Sequence, residues 1–216
     1  MSRRDNAAAR CEGCRLHRAL CLCSLVPKLV TSSRLLLLVH KDEARKPTNT
    51  GLLAARCLIG SDVVVVDAAQ GPPVLPALVG PAALLFPARD ARELVAGDAS
   101  LTLVVPDGTW RQARKMRTRL PGLVGLPCVT LPSAASSSSR QLRTERREGG
   151  LSTLEAIARA FGVLEGPAVE QALLAVGRVM VDRTLWMRGA LRDDDVVGGI
   201  PEAARRHDPR GGVPRG

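Results

Sequence analysis

Four groups of residues in this chain carry side chains able to do chemistry. The first is Cys11-x2-Cys14-x6-Cys21-x-Cys23. Four thiolates this close in sequence can reach one tetrahedral ion and close a structural zinc site. Its binding energy would fold a segment too short and polar to fold alone. His17 is an alternative ligand, and reduced cysteines without metal are the plainer reading. The second group is Lys46-Pro47-Thr48-Asn49-Thr50-Gly51, where Thr48 and Asn49 can hydrogen-bond a polar ligand and Gly51 permits close approach. Capping of a following helix explains the same residues. The third is the apolar run Leu101 to Val105 continuing into Pro106-Asp107-Gly108-Thr109-Trp110. Asp107 is either the cap of the next helix or a carboxylate at a strand tip, placed to accept a proton or bind an amine. The fourth is Ser138 to Arg143 followed by Leu151-Ser152-Thr153-Leu154-Glu155-Ala156. Arg140 and Arg143 suit a phosphate or carboxylate, and Ser152 and Thr153 stand at a helix start, where anionic groups are received readily.

The elements that must position these groups follow from periodicity. Leu35 to Val39, Val63 to Val66, Ala83 to Phe86, Leu101 to Val105 and Cys128 to Leu131 are short continuous apolar runs. Between them, Leu52 to Ile59, Ala91 to Ala96 and Thr109 to Leu120 suit helices. Apolar strands alternating with helices predict an α/β fold, a mostly parallel sheet with helices on both faces. Two closing helices follow, one capped by Ser152 or Thr153 and one running from Pro167 to about Met187. On the helix from Thr109, the residues Trp110, Ala113, Met116 and Leu120 share one face and read as core. Arg111, Arg114, Lys115, Arg117 and Arg119 dominate the rest, which suits a track for a phosphate backbone.

Along the chain, residues 1–10 read as a disordered basic start, 11–26 as the cysteine module, 27–190 as the main domain and 191–216 as a flexible tail. The chain has 216 residues and a net charge of +10, an excess that favours a polyanionic partner. Only 2% of residues are aromatic, so Leu, Val and Ala must build the core. No apolar run is long enough to span a membrane, and the two N-terminal arginines precede no apolar signal region. A cytoplasmic protein is expected. Dinucleotide-binding glycine patterns, P-loops, Ser-His-Asp sets and His-Glu-x-x-His are missing from the sequence.

Taken together, Asp107-Gly108-Thr109-Trp110, the cysteine pattern, Thr48 to Gly51, Phe86-Pro87, Gln112 to Met116 and Leu151 to Ala156 resemble the DTW-domain family. Members of that family are tRNA-uridine aminocarboxypropyltransferases, related to the SPOUT class of RNA methyltransferases. The resemblance implies a C-terminal trefoil knot and S-adenosylmethionine as cofactor. It places the cofactor near Phe86 and Pro87, Asp107 to Trp110, and Leu131 and Pro132, with Thr48 to Gly51 and Ser152, Thr153 and Glu155 completing the site. Asp107, Thr109 and Trp110 would form the reaction centre, and the tRNA would lie on Arg111, Arg114, Lys115, Arg117, Arg140 and Arg143. Where relatives carry a Tyr-Arg-Leu-Arg-like run, this chain has Arg140-Gln141-Leu142-Arg143, which leaves Arg143 as the matching cation. An RNA methyltransferase of the same class and a zinc-dependent RNA-binding module without catalysis are the alternatives.

Overall fold

A computed structural model describes residues 9–78, 80–132 and 151–209. The chain divides into two compact units, one of Pro27–Leu174 and one of Met1–Val26 with Ala175–Gly216.

The first unit holds six strands: β1 Arg34–His40, β2 Asp62–Val66, β3 Ala82–Leu85, β4 Arg92–Glu93, β5 Thr102–Asp107 and β6 Cys128–Thr130. They pair in the order β2-β1-β5-β3-β6-β4, every pair parallel. This is the α/β architecture that the sequence pattern predicts. Leu35 to Val39 are all buried because β1 lies inside the sheet and is covered on both faces. One face carries Leu36, Leu38, Leu84 and Val104. They pack with Ala113 and Met116 of α3, Trp110–Arg119, and with Leu120, which caps its C-terminus. Strand alternation turns Leu35, Leu37, Leu103 and Val105 to the other face. There α2, Thr50–Cys57, packs on β1 and on α4, Thr153–Glu165.

From β1 the chain steps to β2 on one side, whereas from β5 it steps by way of α3 toward β6 on the other. The strand order therefore reverses between β1 and β5, and a crevice opens at their carboxyl ends. At the opposite edge, Glu165 accepts hydrogen bonds from the backbone of Ser32 (3.0 Å) and Ser33 (2.7 Å). That contact fixes the C-terminus of α4 beside the start of β1. A helix of this length spans about 20 Å, roughly the height of the sheet, so the start of α4 reaches the crevice.

Three expectations need correction. Residues 91–96 form no helix. β4 adds to the edge of β6, with Leu94 N–H donating to the Thr130 carbonyl at 2.9 Å, and a 3-10 turn follows over Ala96–Asp98. A six-residue stretch offsets the cost of helix nucleation poorly, and pairing with the open edge of β6 satisfies part of its backbone instead. The bidentate pair from Arg92 to Asp98 (2.7 Å) closes this loop and holds the Asp98 carboxyl below its ordinary value. Trp110, read as core, is 68% exposed. It stands in the first turn of α3, beyond the edge of the sheet that Ala113 and Met116 cover. The segment after Gly189, read as a flexible tail, turns through 3-10 helices at Asp193–Asp195 and Glu202–His207, with Val196 and Ala204 buried.

That segment belongs to the second unit, whose core joins Leu20 to Trp186, Val196 and Ala204. Trp186 lies on α5, Pro167–Met187, and donates from Nε1 to Asp193 at 2.7 Å. Arg183 is 4% exposed and donates to four carbonyls, those of Leu20, Cys21, Gly198 and Gly199. These bonds compensate a buried guanidinium, which burial still pushes below its ordinary pKa. Gly198 is at φ +74, and a Cβ there would stand 3.1 Å from Val179, so glycine suits this approach. The knot implied by the family resemblance falls on a stretch that includes residues 133–150, outside the described residues. No helix among the described residues is long and apolar enough to cross a membrane.

Leu37, fully buried between β2 and β5, should lose about 2–5 kcal/mol of stability on substitution by alanine. Val63, half exposed on the edge strand, should lose under about 1 kcal/mol. Urea unfolding of both variants measures the difference.

Candidate active site

The crevice between β1 and β5 is organised by Asp107, the last residue of β5. Its side chain is buried, at 5% exposure, and both oxygens accept hydrogen bonds. Asn49 Nδ2 donates to Oδ2 at 2.6 Å, and Thr153 Oγ1 donates to Oδ1 at 2.5 Å. One carboxylate thus fastens together the loop after β1, the end of β5 and the start of α4. A charge this deeply buried is tolerable only with such partners.

Each donor is itself fixed. Asn49 caps α2, its Oδ1 accepting from Leu52 N–H at 2.7 Å. Thr153 opens α4, whose cap is Ser152. The Ser152 hydroxyl accepts from Glu155 N–H, and the Glu155 carboxylate in turn accepts from Ser152 N–H at 2.7 Å. The α3 cap is Thr109 rather than Asp107, paired reciprocally with Gln112. The capping alternative for Asp107 is thereby excluded, and its carboxylate serves the crevice. Gly51 packs directly on the tie: a Cβ there would lie 3.0 Å from Asp107 Oδ2 and 3.1 Å from Thr153 Cγ2.

The resulting cleft has a volume of about 290 Å³. Thr48, Asn49, Thr50, Asp107, Gly108, Thr109, Ser152 and Thr153 all line it, joined by Glu43 and Leu151. Sequence reasoning missed Glu43, and named Leu151 in the Leu151 to Ala156 run without assigning it to the site. Glu43 comes from α1, Lys41–Ala44, a four-residue helix with no apolar periodicity to reveal it, and it pairs with Lys46 at 2.6 Å. Also missed was His40, at the end of β1, whose Nδ1 lies 3.0 Å from Gln112 Nε2. Gln112 Oε1 accepts from Thr109 N–H, so Nε2 is the donor to this ring nitrogen.

The other expected residues lie outside the cleft lining. Glu155 is engaged in its capping box. Phe86 and Pro87 follow β3, and Leu131 and Pro132 follow β6. Trp110 meets Phe86 edge to face, with centroids 6.2 Å apart, and the Arg117 guanidinium lies 5.6 Å from the Phe86 ring centre. Arg111, Arg114 and Lys115 are exposed along α3, whereas Arg117 is partly buried and pairs with Asp90 at 3.5 Å. Arg140 and Arg143 lie outside the described residues.

In the second unit, the sulfurs of Cys11, Cys14, Cys21 and Cys23 all lie within 4.8 Å of one another. Three of the six sulfur pairs stand 3.5 to 3.9 Å apart. A regular tetrahedron with such edges has its centre about 2.3 Å from each sulfur, the metal–thiolate distance of a closed four-cysteine site. Cys23 N–H donates to Cys21 Sγ at 3.4 Å, which orients that ligand. The four cysteines can therefore hold a metal ion. His17 is not among them: its Nδ1 accepts from Ala19 N–H and its ring packs on His207. Cys57 and Cys128 are buried, and burial pushes the Cys57 thiol up to about 11, as befits an inert core residue.

A parallel α/β sheet with a polar cleft at its switch point defines a class of ligand-binding and catalytic domains. Within that class, the DTW-domain family model matches residues 8–185, and the chain belongs to that family. It is 33% identical over 182 residues to tRNA-uridine aminocarboxypropyltransferase 2 of Drosophila melanogaster, covering 78% of this chain and 72% of the relative. It is 28% identical over 212 residues to tRNA-uridine aminocarboxypropyltransferase A of Arabidopsis thaliana, covering 79% of each. No solved structure matches the chain.

Two outcomes test this geometry. Gly51→Ala gains helix propensity, yet its methyl would crowd the Asp107 tie. The expected net loss is about 1–3 kcal/mol, read as a fall in Tm of several degrees. Cys21→Ser, or a strong chelator, should remove one bound metal ion per chain by elemental analysis. Loss of the metal should also free the neighbouring Leu20 from Trp186 and shift the buried tryptophan emission to longer wavelength.

Proposed function

We propose that this chain is a tRNA-uridine aminocarboxypropyltransferase, which moves the 3-amino-3-carboxypropyl group of S-adenosylmethionine to N3 of a tRNA uridine. In this reaction a bond forms between N3 and the γ-carbon of the methionine moiety as the bond from that carbon to sulfur breaks. Methylthioadenosine leaves, and the N3 proton passes to a base. The observation that carries the reading is membership of the DTW family together with a buried carboxylate in the cleft at the sheet's switch point.

The residues present suit an aminocarboxypropyl group. Its ammonium calls for an acid, and Glu43 lines the cleft beside Asp107. Its carboxylate calls for N–H donors, and the first turns of α2 and α4 present main-chain groups that lack a partner within their helix. The cleft's polar lining of Thr48, Asn49, Thr50, Ser152 and Thr153 suits the amino-acid arm of the cofactor. The adenosine would then lie beyond it, toward the ends of β3 and β6, where Phe86, Pro87, Leu131 and Pro132 stand.

In this assignment Asp107 faces the reacting centre as the base that receives the N3 proton. Thr109 positions it through the α3 cap, and Asn49 and Thr153 hold its carboxylate in one orientation. Ser152, Gly108, Thr48 and Thr50 shape the walls, and Gly51 allows the walls to meet. Glu155 acts through the cap of α4. Binding the amino-acid arm in the cleft aims the γ-carbon, rather than the methyl, at the nucleophile, so orientation selects the group transferred. Arg111, Arg114 and Lys115, with Arg140 and Arg143, would hold the tRNA backbone. The four cysteines would hold a structural zinc ion.

The test uses purified protein, an unmodified tRNA transcript and S-adenosylmethionine labelled either in the carboxyl carbon or in the methyl group. Carboxyl label alone should enter the RNA. Methyl label alone would make the enzyme a methyltransferase, and label from neither would contradict the transferase reading.

A further inference from the structure

The chain has only two tryptophans and two phenylalanines. Trp186 and Phe161 are fully buried, and Phe86 is 8% exposed. Trp110 alone stands out, at 68% exposure. It is nonetheless held in place: it opens a regular helix and meets Phe86 edge to face at an interplanar angle of 72°. Phe86 carries the Arg117 guanidinium, which Asp90 pairs. The two residues preceding Trp110, Gly108 and Thr109, line the cleft. Helical spacing sets Arg114 one turn along from Trp110, with Arg111 and Lys115 on the next row. These three cations are exposed, and none takes part in an ion pair among the described residues.

We infer that Trp110 is a stacking platform for an unpaired base of single-stranded RNA, seated beside the cleft while Arg111, Arg114 and Lys115 grip the adjoining phosphates. An exposed, braced indole next to exposed cations is the combination that binds single strands, because every base offers a π-face and every linkage a charge. A loop nucleotide splayed onto this platform has its neighbour directed toward Asp107. The inference rests on the tRNA reading above and adds to it a specific contact, to a base rather than to the backbone.

The experiment uses the full chain with a short oligouridylate and an abasic ribose-phosphate strand of equal length. Acrylamide quenching separates exposed Trp110 from buried Trp186. Oligouridylate should shield the quenchable emission, and the abasic strand should not. By fluorescence anisotropy of labelled RNA, Trp110→Ala should bind oligouridylate about 10- to 100-fold more weakly and the abasic strand unchanged. Trp110→Phe should recover most of the loss, while Arg114→Ala should weaken both strands alike. Unchanged binding by Trp110→Ala, or an equal loss on the abasic strand, would overturn the platform. Carboxyl-label transfer, measured alongside, separates the two readings. Transfer without a base-dependent role for Trp110 overturns the platform alone. A base-dependent loss in a protein that transfers no label supports the platform and overturns the transferase.

Discussion

A buried carboxylate is costly in any fold, and Asp107 offsets that cost with two short hydrogen bonds that also build the cleft. Its partners lie 58 and 46 residues away in sequence. Asn49 brings the loop after β1, and Thr153 brings the first turn of α4. If either partner were removed, the carboxylate would lose a donor and the cleft would lose a wall. The other local features serve this tie. Gly51 makes room for it, the caps at Asn49, Thr109 and Ser152 fix the helix starts around it, and Glu165 anchors the far end of α4.

The sheet order explains why the tie falls where it does. Chain reversal between β1 and β5 leaves their carboxyl ends uncovered by any crossover, so two helix starts and a carboxylate can converge there. The cations of α3 extend outward from the same end of β5, because that helix begins three residues after Asp107. Recognition of a polyanion and chemistry on one of its bases can thus share a single strand-to-helix turn. The four cysteines, which can hold a metal ion, belong to the unit whose small apolar centre is Leu20, Trp186, Val196 and Ala204.

β1, β2, β3, β5 and β6 were legible because each follows a continuous apolar run, and the caps of α2 and α4 were legible from Asn49 and Ser152 standing before helical periodicity, whereas for α3 the sequence offered Asp107 where the structure has Thr109. The cysteine spacing was enough to foresee a metal-competent cluster. Trp110 misled because helical periodicity assigns a face without showing where the sheet beneath it ends. Residues 91–96 misled because a two-residue edge strand is set by a partner, β6, more than thirty residues on. The tail misled because its Asp, Gly and Arg content hides two small apolar anchors. Glu43 and His40 had no local signal, since only tertiary structure brings them to the cleft and to Gln112. The contacts of Asp107 were beyond reach for the same reason, although its place at a strand tip was visible.

Asp107→Asn is the most direct test of the central role of this carboxylate. In one amide orientation an asparagine still accepts from Asn49 and can donate to the Thr153 hydroxyl, so the tie survives while the charge is lost. Carboxyl-label transfer to tRNA at saturating S-adenosylmethionine should fall by about 10²- to 10⁴-fold, with Tm nearly unchanged. Full turnover by Asp107→Asn, with unaltered affinity for S-adenosylmethionine, would contradict the assignment of Asp107 as the base.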